Sequence, residues 1–137
     1  MDTEVLFTDG PITLPPRARA LLETGAVVEF YGIVRATEDG AQIDGLFYEA
    51  YEPMARREFD RICTELAGRH APQAVCIIHR LGFVAVGEAS LYVRVAAKHR
   101  GAALAFCGEL IDRMKQDVPI WKIARQRKPG AAGSQAE

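Results

Sequence analysis

Two stretches of this chain, 53–69 and 101–116, place apolar side chains at helical spacing, with runs of strand-forming residues before, between and after them. In the first, Ala55, Phe59, Ile62, Cys63 and Leu66 form a stripe, while Arg56, Arg57, Asp60 and Glu65 occupy other faces. In the second the stripe is Ala103, Cys107, Leu110, Ile111 and Met114. Such a stripe must be buried against another layer. The strand segments are 3–8, 26–35, 43–51, 74–82, 88–97 and the final PIWKIA; in 88–97, Leu91, Val93 and Val95 alternate with Tyr92 and Arg94. Asp39-Gly40 marks a turn that would join 26–35 to 43–51 as a hairpin, and Gly32 suggests a bulge or a close backbone approach. Pro15, Pro16, Leu21, Leu22 and Gly25 predict a short helix over 15–25. Paired strands with interspersed helices favour an α+β fold with antiparallel sheets, two long helices and a short N-terminal helix, over a doubly wound parallel sheet. No GxGxxG or GxxxxGK[ST] supports a nucleotide-binding fold.

The length, 137 residues, suits one domain, expected over 1–124, with the Gly/Ala/Ser-rich 125–137 a flexible tail. A net charge of −1 provides no global attraction for nucleic acid or a membrane, so an anion site must be a local gathering of cations. No window approaches the roughly 20 apolar residues of a membrane span, and the acidic N-terminus lacks the apolar core of a signal peptide. Cys63, Cys76 and Cys107 are far apart, odd in number and without a CxxC pair. They read as buried, reduced thiols of a cytoplasmic protein, with no metal site and no cofactor expected.

Cations gather at three places. Lys115 and Lys122 bracket Pro119 and the single tryptophan, Trp121, where the second helix must end because Pro119 lacks an N–H and restricts Val118. Either lysine alone has a structural reading, Lys115 as a helix C-terminal charge and Lys122 as an edge-strand residue. Lys98, His99 and Arg100 stand at the start of the same helix, where positive charge opposes the dipole and the usual capping residue is missing. A bound phosphate would offset that conflict; a solvated basic turn is the plain alternative. Arg35 closes the strand at 26–35. His79 reads as a core or strand histidine, and His70 has no evident partner.

The segments GAVVEFYGIVR, FYEAYEPMA, IIHRLG, AAKHRGAA and MKQDVPIWK, in this order, resemble the catalytic (large) subunit family of molybdopterin synthase, from about residue 25 to 122. The resemblance implies a hammerhead-type α+β fold and a homodimer within a heterotetramer. It implies a partner, a small ubiquitin-like sulfur-carrier subunit with a C-terminal Gly-Gly thiocarboxylate. The implied reaction transfers two sulfurs to cyclic pyranopterin monophosphate, making the molybdopterin dithiolene.

Carried over by position, Phe30, Ile33, Val34 and Arg35 match one substrate-binding stretch, and His99 and Arg100 a second. Lys115 and Lys122 match the catalytic lysines, and Ile123 and Ala124 continue the substrate-binding set. Arg35, His99 and Arg100 suit a phosphate through charge-assisted hydrogen bonds. Lys115 suits the reacting thiocarboxylate, with Lys122 in support and Trp121 as a packed anchor between the two lysines. The family usually carries a basic residue and then a glutamate after its second lysine; this chain has Ile123 and Ala124. A diverged, non-catalytic relative that binds the carrier protein or a pterin is the alternative reading.

Overall fold

The computed structural model describes residues 1–16 and 22–127. Its elements run β1 (Asp2–Thr8), β2 (Ala26–Ile33), β3 (Thr37–Glu38), β4 (Ala41–Ala50), α1 (Glu52–His70), β5 (Ala74–Arg80), β6 (Gly82–Ala85), β7 (Ala89–Ala97), α2 (Arg100–Asp117) and β8 (Ile120–Gln126). The core of the helix expected over 15–25 lies outside the described residues; 22–25 form a turn and coil. Most of the expected tail also lies outside them, but Arg125 and Gln126 belong to β8, beyond the expected boundary at 124.

Two sheets divide the strands. One has the order β1-β5-β7-β2, and the other consists of β3, β4 and β6 with β8 on β4. All pairings are antiparallel except β1 with β5. Both helices pack on one face of the first sheet, where Phe59, Ile62 and Leu66 of α1 and Phe106 and Leu110 of α2 meet Ile77, Val93 and Val95. The five apolar positions expected of α1 are all buried. In α2, Ala103, Cys107, Leu110 and Met114 are buried and Ile111 packs at the core margin. A smaller core of Val34, Ile43, Leu46 and Val84 lies in the second sheet.

The expected hairpin of 26–35 with 43–51 does not form. β2 pairs instead with β7, and β4 pairs with β3, β6 and β8. Asp39-Gly40 does make a tight turn, with φ of 50° and 81°, but it joins β4 to the two-residue β3. Positive φ at both central residues is the twist-matched hairpin geometry. The strand expected over 74–82 ends at Arg80. Gly82, at φ 83°, turns the chain into β6 and carries it from the first sheet to the second. Alternation shows which side chains share a face, but it does not show which edges pair.

Candidate active site

The C-terminal end of α2 and the strand that follows it form one wall of a cavity. Pro119 stops the helix, and Val118 caps it in extended conformation, its N–H bonded to the Met114 carbonyl. The chain then runs antiparallel to β4, setting Lys122 opposite Tyr48 and Ala124 opposite Leu46. Alternation along β8 therefore turns Lys122 and Ala124 to one face and Trp121 and Ile123 to the other. The facing wall comes from the end of β2. A register shift between Gly32 and Ile33 breaks the pairing with β7 there. A Cβ on Gly32 would stand 3.3 Å from that of Leu91, so the two strands approach closely at this point. Beyond the shift, Val34 is pinned by backbone bonds to Glu88 and Gly87 and buried in the smaller core, which leaves Arg35 exposed beside it.

The cavity measures about 660 Å³. Phe30, Ile33, Val34, Arg35, Lys115 and Lys122 all line it, so the structure brings together the first binding stretch and both lysines. Lys115 is exposed on the last turn of α2 and has no ion-pair partner among the described residues. Lys122 is paired, its Nζ standing 2.7 Å from a carboxylate oxygen of Glu38 on β3. This bond holds the Glu38 carboxyl below the usual carboxylate range, against a partial desolvation that pushes the other way. The charges of Lys122 and Arg35 act in the same direction as the bond. Three cations thus face one carboxylate over a floor that includes Phe30, Leu91, Ile111 and Met114. That combination suits an anion carrying a flat or apolar body.

Four expected site residues are not in this cavity. His99 and Arg100 are exposed at the other end of α2. Fifteen residues of helix at 1.5 Å each put Arg100 about 22 Å from Lys115 within one chain. Ile123 faces outward opposite Phe47 and is 56% exposed. Ala124 packs against the smaller core. Trp121 borders the cavity but is half exposed, so it is not the packed anchor expected between the lysines.

The structure adds polar wall residues, among them Glu38, Tyr48 and His79. His79 is buried, as expected, and its Nδ1 donates to the Arg80 carbonyl at 2.8 Å. Its ring stands edge-on to Tyr48 at 5.0 Å, and burial pushes its imidazole below the ordinary 6.5. Glu38 was hidden in a stretch that reads as a polar turn; only the β4–β8 pairing reveals what it faces. His70, without a partner in the sequence reading, bonds Glu109 of α2 at 2.8 Å.

None of the three cysteines lines the cavity. All are free and buried, and desolvation pushes Cys63 up to about 12 and Cys76 to about 11. Thiols in that condition are poor nucleophiles. Among the described residues no three or more His, Cys, Asp or Glu side chains cluster as a metal site, and no helix is long and apolar enough to cross a membrane.

The family model of the MoaE protein matches residues 8–117. The chain belongs to the MoaE family. A molybdopterin synthase catalytic subunit of Oryza sativa subsp. indica is 42% identical over 101 residues, covering 74% of this chain and 52% of the relative. The chain thus spans about half the length of the curated relatives it matches. The crystal structure of molybdopterin synthase from Staphylococcus aureus superposes with a TM-score of 0.81 at 30% identity, covering 90% of this chain and 91% of that one. A protein–protein complex of subunits 1 and 2 of molybdopterin-converting factor from Helicobacter pylori 26695 includes a chain with a TM-score of 0.62 at 26% identity, with 84% and 82% covered. The family's fold is therefore the one observed here, two helices on a mixed sheet with a second sheet beside it.

Proposed function

We propose that this chain is the catalytic subunit of a molybdopterin synthase, a cytoplasmic sulfurtransferase. It would take one sulfur from the C-terminal Gly-Gly thiocarboxylate of each of two small ubiquitin-like carriers in turn, each leaving as a carboxylate, and insert both into cyclic pyranopterin monophosphate. The observation that carries the reading is the convergence of Lys115, Lys122 and Arg35 on one cavity from three separate segments. The chain's own thiols are buried and face elsewhere, so sulfur chemistry in this cavity requires a donor from outside. A carrier tail with a thiocarboxylate end is an anion of the kind the cavity suits.

In this reading Lys115 orients the thiocarboxylate, stabilises the oxyanion that develops at the acyl carbon and moves protons. Lys122 supports the same charge from the strand that follows the helix. Arg35 holds the cyclic phosphate. His99 and Arg100 lie at the far end of α2 from Lys115, so in this reading they serve the cavity of a second copy in a homodimer, with a carrier on each copy in a heterotetramer. Ile33 and Val34 shape the wall, while Ile123 and Ala124 contribute backbone.

The binding-only alternative draws on the departure from the family pattern at Ile123 and Ala124, and on Lys122 being already engaged by Glu38. The test is direct. The protein is mixed with thiocarboxylated carrier and cyclic pyranopterin monophosphate, and dithiolene product is measured. Product supports catalysis; carrier binding without product overturns it in favour of the alternative.

A further inference from the structure

We infer that Glu38 is a positioning residue for Lys122: it fixes that ammonium on the cavity wall and leaves Lys115 as the cation free to follow the reacting group. The inference rests on the function proposed above and deepens it. Lys122 stands on β8, which among the described residues pairs with β4 alone, and half of its side chain is exposed. A lysine there, on a flexible four-carbon stem, would ordinarily sample solvent. Glu38 prevents this. Its own side chain is only 18% exposed, and its carboxylate reaches Lys122 at 2.7 Å.

The backbone under Glu38 is itself constrained. Glu38 pairs with Ala41 across the Asp39-Gly40 turn, so the carboxylate projects from a short, closed hairpin rather than from a loose loop. Glu38 also lies in the field of Arg35, between two of the cavity's three cations, while Lys115 on the helix has no carboxylate partner among the described residues. The cavity therefore holds one anchored lysine and one unanchored lysine. A half-exposed ion pair contributes little to stability, so its main effect is on where the charge sits.

Glu38→Gln keeps the shape and removes the charge. The expected result is a kcat lower by about tenfold, since small misplacements of a charged group are costly in rate, with KM unchanged or lower and thermal stability unchanged. Glu38→Asp, which keeps the charge on a shorter arm, restores part of the loss. An unchanged kcat, or a rise in KM alone, overturns the inference. A second measurement needs no substrate. In the free protein, the 15Nζ ammonium signal of Lys122 is observable in wild type and lost to solvent exchange in Glu38→Gln, while that of Lys115 is the same in both. Identical Lys122 signals in the two proteins overturn the inference even if the enzyme is active. A signal lost only in the variant supports it even if the sulfur-transfer reading fails.

Discussion

The two ends of α2 carry similar cations and present them in opposite ways. At the C-terminal end Lys115 lines a cavity together with Lys122 of the strand that follows, with Arg35 on the facing wall at the end of β2. At the N-terminal end Lys98, His99 and Arg100 stand on open surface, with no acidic residue in the first turn and no side-chain cap. Among the described residues the one ion pair there, Lys98 with Glu23 at 3.4 Å, joins two largely exposed side chains. Charge density alone does not distinguish the ends. The C-terminal end has walls because Pro119 sends the chain back along β4, and the N-terminal end has none among the described residues of a single chain. If the N-terminal cations belong to the site, a second copy must supply its walls.

Removing the ammonium at the walled end should have the largest effect. Lys115→Ala is expected to lower turnover at least about 100-fold, the range for loss of a charge that acts in the transition state. Because Lys115 is exposed and unpaired, the melting temperature should not move. An unaffected rate removes Lys115 from the mechanism and erases the contrast between the ends.

The open end is tested by mixing subunits. Lys115→Ala and Arg100→Ala are each expected to be impaired as homodimers. Coexpressed, they form mixed dimers in which one site takes Lys115 from one copy and Arg100 from the other, both intact. Random assembly would then restore about a quarter of wild-type activity. No recovery would mean that Arg100 does not complete the site across a twofold axis, and the N-terminal cluster would be a solvated basic turn.

The sequence made one end more legible than the other for a physical reason. A helical stripe is local, so Phe59, Ile62 and Leu66 could be assigned to the core without knowing their partners. Proline is local too, and Pro119 between two lysines announced a turn back into a basic site. Strand pairing is not local. β2 reads equally well against β4 or β7, and its true partner lies more than fifty residues away in the chain, where Val28 pairs with Val95. For the same reason Glu38 read as part of a turn, Ala124 read as a wall residue and His70 lacked its partner on α2. Ile123 could be turned outward only once the β8 register was known.

Arg35 sharpens the contrast at a smaller scale. It is exposed, so Arg35→Ala should leave the fold intact and weaken substrate binding by about 1.5–3 kcal/mol if one charged hydrogen bond is lost. That is roughly a ten- to hundredfold rise in Kd. It would be read by calorimetry with cyclic pyranopterin monophosphate; an unchanged Kd would move the phosphate away from this wall.

The smallest expected effect concerns His79, buried in the wall of the cavity that lies at the walled end of α2. Burial lowers the pKa of His79 below the ordinary 6.5, with the bond to the Arg80 carbonyl opposing part of that change. The folded protein therefore resists a proton that the unfolded chain accepts. Above about pH 6.5 both states are neutral at this site and stability is unaffected. As pH falls from there toward the lowered folded value, the unfolded state gains protons first and stability declines. The carboxylates whose pKa is depressed, Glu38, Glu58, Glu65 and Glu109, act in a separate window, losing their contribution only below the carboxylate value of 4.5. Urea unfolding between about pH 7.5 and about pH 5.5 isolates the histidine window. His79→Gln should flatten the decline there. Parallel curves for wild type and His79→Gln would show that the buried ring does not set this slope.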